Sequence, residues 1–89
     1  MSMPQPLAPR NYTRQDVERI VLERANLTFN VDVTLETNLT EAGVDSITYY
    51  ELEAQIEEVL GITFSYGEYQ QIHTLRDLVK ATCRHLNIT

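Results

Sequence analysis

Four helix-start signals divide this chain and leave little room for anything but helices. Thr13 stands three residues before Asp16, Ser65 three before Glu68 and Thr74 three before Asp77, while Asp45-Ser46 opens the run from Ile47 to Leu60. A Ser, Thr or Asp at such a position accepts a hydrogen bond from an unpaired amide of the first helical turn, and an acid three residues on returns one to the cap's own N–H. Asp16 is a shorter relative of the Glu usual there. Behind the caps, apolar residues recur at helical spacing. Val17, Ile20, Val21 and Ala25 form the first stripe, with Tyr12 and Val17 as a hydrophobic staple and Asn26 as the stop. Tyr49, Leu52, Ile56, Val59 and Leu60 form the second, ended by Gly61. Ser65 predicts a short helix or turn over Gly67 to Ile72, with Tyr69 and Ile72 facing inward. Leu75, Leu78, Val79, Cys83 and Leu86 make the last stripe.

The stretch Leu27 to Asp45 is the longest connection. Val31, Val33 and Leu35 alternate as a strand would, but no second strand is visible to pair with them, and a lone strand is not stable. We read an ordered loop tied to the core by Phe29, Val33, Leu35 and Leu39. Loops of this length inside compact domains are usually functional. The expected fold is all-α: a small four-helix bundle of three main helices and one short one, with a long loop between helices 1 and 2.

Eighty-nine residues make one small domain. A chain of that size buries only about 60–65% of its unfolded surface, which leaves little room for a deep cleft of preorganised catalytic groups. Residues 1–12, with Pro4, Pro6 and Pro9, read as a flexible lead-in to a domain spanning 13–87. The first residues have no basic and apolar regions of a signal peptide, and no segment is apolar enough to span a bilayer. One cysteine, Cys83, excludes an internal disulfide and both common zinc spacings; on its stripe it reads as a core residue. Together these predict a cytoplasmic protein.

Charge is segregated along the chain. The net charge is −6, yet no Lys or Arg lies between residues 25 and 75, a window that holds nine acids. The flanks carry Arg10, Arg14, Arg19, Arg24, Arg76, Lys80 and Arg84. Such a field repels nucleic acid and anionic membranes and steers basic protein surfaces toward it. The run after Ser46 carries Glu51, Glu53, Glu57 and Glu58 and no basic residue. It also has a second apolar strip, Ile47, Tyr50 and Ala54, beside the core stripe. A helix with one core needs only one stripe. The second either widens the buried face or is kept for a partner.

Ser46 admits three readings. It belongs to an ordinary helix start, where Asp and Ser are common. It is a nucleophile, which needs a base within hydrogen-bond reach; the only histidines are His73, before a helix cap, and His85, near a frayed end, and no G-x-S-x-G elbow is present. Or it is modified by another enzyme, which needs exposure and a fixed backbone but no internal base. A phosphate ester there would face the positive end of a helix dipole, with Asp45 opposing it by like charge.

The run Gly43-Val44-Asp45-Ser46-Ile47 resembles the G-x-D-S-[LIM] signature of acyl carrier proteins. Glu57-Glu58-Val59-Leu60-Gly61-Ile62 is similar to that family's E-E-x-[FL]-x-[IV] run, and Thr74-Leu75-Arg76-Asp77-Leu78 to its T-x-x-D-[LAV] helix start. The resemblance spans residues 13 to 87. It implies a four-helix bundle, non-catalytic and monomeric, that carries 4′-phosphopantetheine on Ser46 through a phosphodiester and holds acyl groups as thioesters on the arm's thiol. Asp45 would aid recognition by the phosphopantetheinyl transferase. Glu51, Glu57 and Glu58 would face basic surfaces of that transferase and of acyl-loading and acyl-processing enzymes, with Ile47, Tyr50 and Ala54 as apolar contacts. No nucleic acid, membrane or metal enters this reading. Tyr49-Tyr50 is bulkier than the small or aliphatic residues usual there, and the Arg-rich first helix is less acidic than in fatty-acid carriers. Both departures point toward polyketide or other specialised biosynthesis as much as toward fatty-acid synthesis. A free-standing peptidyl or aminoacyl carrier, which often reads G-G-[DH]-S, and an unmodified helical interaction module are the alternatives.

Overall fold

The computed structural model describes residues 11–88. Of the lead-in expected over residues 1–12, the first ten lie outside the described residues. Four helices follow in order: α1 Arg14–Phe29, α2 Ser46–Leu60, α3 Tyr66–Tyr69 and α4 Leu75–Leu86. Three of them begin on complete capping boxes at Thr13, Ser65 and Thr74, and α2 begins on the Asp45 carboxylate. The all-α expectation holds, and among the described residues no strand forms. The loop between α1 and α2 touches the segment before α4 through one isolated antiparallel bridge, Asn38 to Thr74.

α1 does not stop at Asn26. Val17, Val21, Ala25 and Phe29 are spaced by four and all buried, so the core face carries the helix one turn further, to a left-handed cap at Asn30 (φ 59°). Asn tolerates that conformation better than most residues. Asn26 has another role: its amide donates to the Leu22 carbonyl (3.1 Å), and its side-chain oxygen accepts the N–H of Val33 (2.9 Å). The residue read as a stop is the peg that folds the loop back onto α1.

The loop is ordered, as expected, and its anchors are specific. Val33 and Leu39 are buried and Leu35 half-buried against the core. The Arg76 N–H donates to the Leu35 carbonyl (2.8 Å), and the Leu39 N–H to that of His73 (2.9 Å). The Arg76 guanidinium forks onto Glu36 and lies 3.7 Å from Glu18, joining loop, α4 and α1.

α1 packs against both α2 and α4. The core between them holds Val17, Val21, Leu52, Ile56, Leu75 and Leu78, all fully shielded from solvent. Two residues expected elsewhere need correction. Val59, placed on the core stripe, is 40% exposed, whereas Glu53, at the opposite edge of the buried face, is only 7% exposed. On α4 the buried face is wider than the stripe and takes in Ala81 and Thr82, whose hydroxyl is satisfied by the Leu78 carbonyl (2.8 Å). The short helix covers Tyr66–Tyr69 rather than Gly67 to Ile72. Nor is His85 loose at a frayed end. Its Nε2 sits 2.9 Å from the Glu68 carboxylate and its ring meets Phe64 edge-on, which fastens α3 to α4.

Candidate functional site

The backbone that delivers Ser46 is set by local turns. Leu39 is buried, the Gly43 N–H donates to the Thr40 carbonyl (3.0 Å), and the Val44 N–H returns to Leu39 (3.0 Å). Gly43 lies at φ 84°, and nothing stands within 4 Å of where a Cβ would be. Glycine is therefore needed there for its backbone freedom and not for space. Asp45 follows in extended conformation. Its carboxylate accepts the Thr48 N–H (2.8 Å), and its carbonyl accepts the N–H of Tyr49 (3.0 Å). The Thr48 amide holds the Asp45 carboxyl below the usual aspartate range, so the cap stays ionised.

Ser46 is the first residue of α2 and is exposed. Its hydroxyl has no hydrogen-bond partner among the described residues. Ser65, at the start of α3, differs: its hydroxyl accepts the Glu68 N–H (3.3 Å) and is used as a cap. Asp45 does the capping for α2 and leaves the serine beside it unengaged.

A surface pocket of about 180 Å³ opens beside Ser46. The loop contributes Leu39, Thr40 and Val44, α2 contributes Tyr49, and the α3 segment brings Tyr69, Gln70 and His73. His73 thus shares a pocket with Ser46 but makes no hydrogen bond to it, so the pairing a nucleophile needs is not formed.

The remaining predicted residues divide by exposure. Ile47 (73% exposed), Tyr50 (42%), Glu51, Ala54 and Glu58 lie on one outward face of α2, at helical spacing. Glu51 and Glu58 have no ion-pair partner among the described residues. The α1 acids Asp16, Glu18 and Glu23, by contrast, sit near Arg14 or Arg19. Glu57 is half-buried, and its carboxylate accepts the N–H of Phe64 (2.9 Å), so it also pins the turn after α2. Tyr66, 72% exposed on α3, was not singled out in the sequence. Its lone position in a four-residue helix offers no periodicity that marks it.

Glu53 reads in sequence as one more acid of the α2 face, but it points inward. The Tyr49 hydroxyl donates to its carboxylate (3.1 Å). Burial raises the Glu53 carboxyl above its ordinary range, with the Tyr49 bond opposing that rise. Burial and the neighbouring Glu53 charge in turn keep the Tyr49 phenol protonated. A carboxyl raised on folding costs stability above its unfolded value and nothing below it. Glu53→Gln keeps an acceptor for Tyr49 and removes that cost. The variant is expected to be more stable than the parent at pH 7, with the difference vanishing below about 4.5, the ordinary glutamate value. Urea unfolding at both pH values checks it. Asp16, Asp45, Asp77, Glu36 and Glu68, all lowered, weaken both proteins alike as pH falls.

Comparison with protein families matches this chain, over residues 15–82, to the family described as "Phosphopantetheine attachment site". No curated protein and no solved structure matches it. The matched span covers most of the chain, from α1 into α4, with the Ser46 turn and its pocket inside it. Domains of this family bear covalently attached 4′-phosphopantetheine and meet phosphopantetheinyl transferases and biosynthetic enzymes. The helical architecture and an unengaged serine hydroxyl at a helix start fit that group. The chain belongs to the phosphopantetheine attachment family and is a phosphopantetheine-carrying carrier protein.

Proposed function

We propose that Ser46 carries the arm, within a carrier domain spanning residues 13–87, and that the outward face of α2 presents it to partner enzymes. The carrying observation is the exposed Ser46 hydroxyl, unengaged at the first turn of α2 while Asp45 does the capping. A phosphodiester at Ser46 adds a negative charge at the positive end of the α2 dipole, which offsets the like charge of Asp45. When bound, the arm supplies a terminal thiol that holds an acyl group as a thioester. The chain's own residues supply a fixed attachment point and a docking surface; they catalyse nothing. The pathway we favour is polyketide, fatty-acid-like or other specialised biosynthesis in the cytoplasm, with the domain acting as a monomer. No helix of the described residues is long and apolar enough to cross a membrane.

Intact mass after incubation with coenzyme A and a phosphopantetheinyl transferase tests the attachment. One arm per chain is expected, on the peptide containing Ser46. An unchanged mass, or an arm on another residue, would reject the assignment.

Docking has its own test. Glu51→Lys with Glu58→Lys reverses two unpaired charges without touching the core, whereas Glu57→Lys also breaks the Phe64 turn. The double variant is expected to slow modification by about tenfold at low salt, the lower end of electrostatic steering. Raised salt should slow the parent toward the variant while leaving helicity unchanged. Equal rates for parent and variant would reduce this face to a solvated surface.

A further inference from the structure

Two tyrosine rings, Tyr49 and Tyr69, line the Ser46 pocket, and a third, Tyr50, stacks against them from the outward face of α2. Tyr49 lines the pocket, is 4% exposed, and is held by its hydrogen bond to the buried Glu53. Tyr69 lines it from the other side, with its ring 5.3 Å from that of Tyr49. Tyr50 stacks on Tyr69 at 4.8 Å and 29°, so the rings bridge α2 and the α3 segment in continuous contact. Leu52, Ile56 and Leu78 of the core are fully shielded from solvent. The pocket itself, at about 180 Å³, is smaller than the roughly 300–1,000 Å³ of ordinary ligand sites. Its rim offers hydrogen-bonding groups from Thr40, Gln70 and His73.

Resting on the attachment at Ser46, we propose that this pocket cradles the polar stem of the tethered group and that the tyrosine rings stop an aliphatic chain from passing into the core. The cargo class that suits such a carrier is a short or polar acyl group that needs no shelter from water. An extended alkyl group would have to part rings locked by stacking and by a hydrogen bond to a buried acid. Separating Tyr49 from Glu53 leaves a buried carboxylate unpaired, and a packed interior offers no void in return.

The test uses the full chain with its arm, loaded with either acetyl or octanoyl. Attachment of the arm should shift the NMR signals of Thr40, Gln70 and His73, equally for both cargoes, while the methyl signals of Leu52, Ile56 and Leu78 stay in place. Hydroxylamine should cleave both thioesters at the rates of the corresponding free acyl-pantetheines. Tyr69→Ala removes the middle ring, and in that variant the core methyls should move with octanoyl but not with acetyl. Core shifts or slowed octanoyl cleavage in the parent would overturn the proposal, as would an arm that leaves the pocket signals unmoved. Failure of the attachment reading is distinct, because there the mass does not rise or the arm maps away from Ser46.

Discussion

Ser46→Ala is expected to abolish the mass gain completely while leaving the fold intact. The substitution removes one oxygen from an exposed side chain that makes no hydrogen bond to the described residues. The cap of α2 belongs to Asp45 and is untouched. Surface changes of this kind shift stability by no more than about 0.5 kcal/mol. Ser65→Ala is the matched control. It deletes a hydroxyl that accepts the Glu68 N–H, at an expected cost of about 1 kcal/mol, yet modification should proceed as in the parent. Intact mass and urea unfolding of the two variants separate attachment from capping. A Ser46→Ala chain that still gains the arm would sink the assignment.

Leu52→Ala should show the largest loss of stability. Leu52 is fully shielded, on the face of α2 that meets α1, less than two turns beyond Ser46. Truncating it removes transfer free energy and leaves a cavity, together about 2–5 kcal/mol. A chain of this size is stable by roughly 4–13 kcal/mol at 0.05–0.15 kcal/mol per residue, so the variant spends a large share of that margin. The urea midpoint should fall with little change in slope, since the surface exposed on unfolding is nearly the same. Where the variant remains folded, Ser46 should still accept the arm, because the turn that presents it is closed by Leu39, Gly43 and Asp45 rather than by Leu52. A midpoint within error of the parent's would mean that α2 does not share the core described for it.

Much of this molecule is legible because its signals are short-range. Each capping residue lies three positions from the amide it satisfies, so Thr13, Asp45, Ser65 and Thr74 announce their helices without reference to the rest of the chain. The exposed strip Ile47, Tyr50, Glu51, Ala54 and Glu58 is equally visible, since periodicity alone puts those residues on one face. The misreadings have long-range causes. Asn26 looked like a stop because the N–H that its side-chain oxygen accepts lies seven residues on, at Val33, in a loop whose path the helix does not encode. Glu53 looked like a surface acid because Glu51, Glu57 and Glu58 surround it in sequence, but its burial depends on what packs against α2, including the Tyr69 ring of α3 that meets its partner Tyr49. His85 gained its role from Glu68, seventeen positions away.

From the chain alone come the four helix starts, the glycine-led turn into Ser46 and the segregation of acids into the middle of the sequence, all products of contacts a few residues long. Only the tertiary structure decided which of those acids face solvent, that Glu53 turns inward under Tyr49, and that three tyrosines from two helices meet beside the serine. Those outcomes depend on side chains brought together from distant positions, and their energies exist only once the helices have packed.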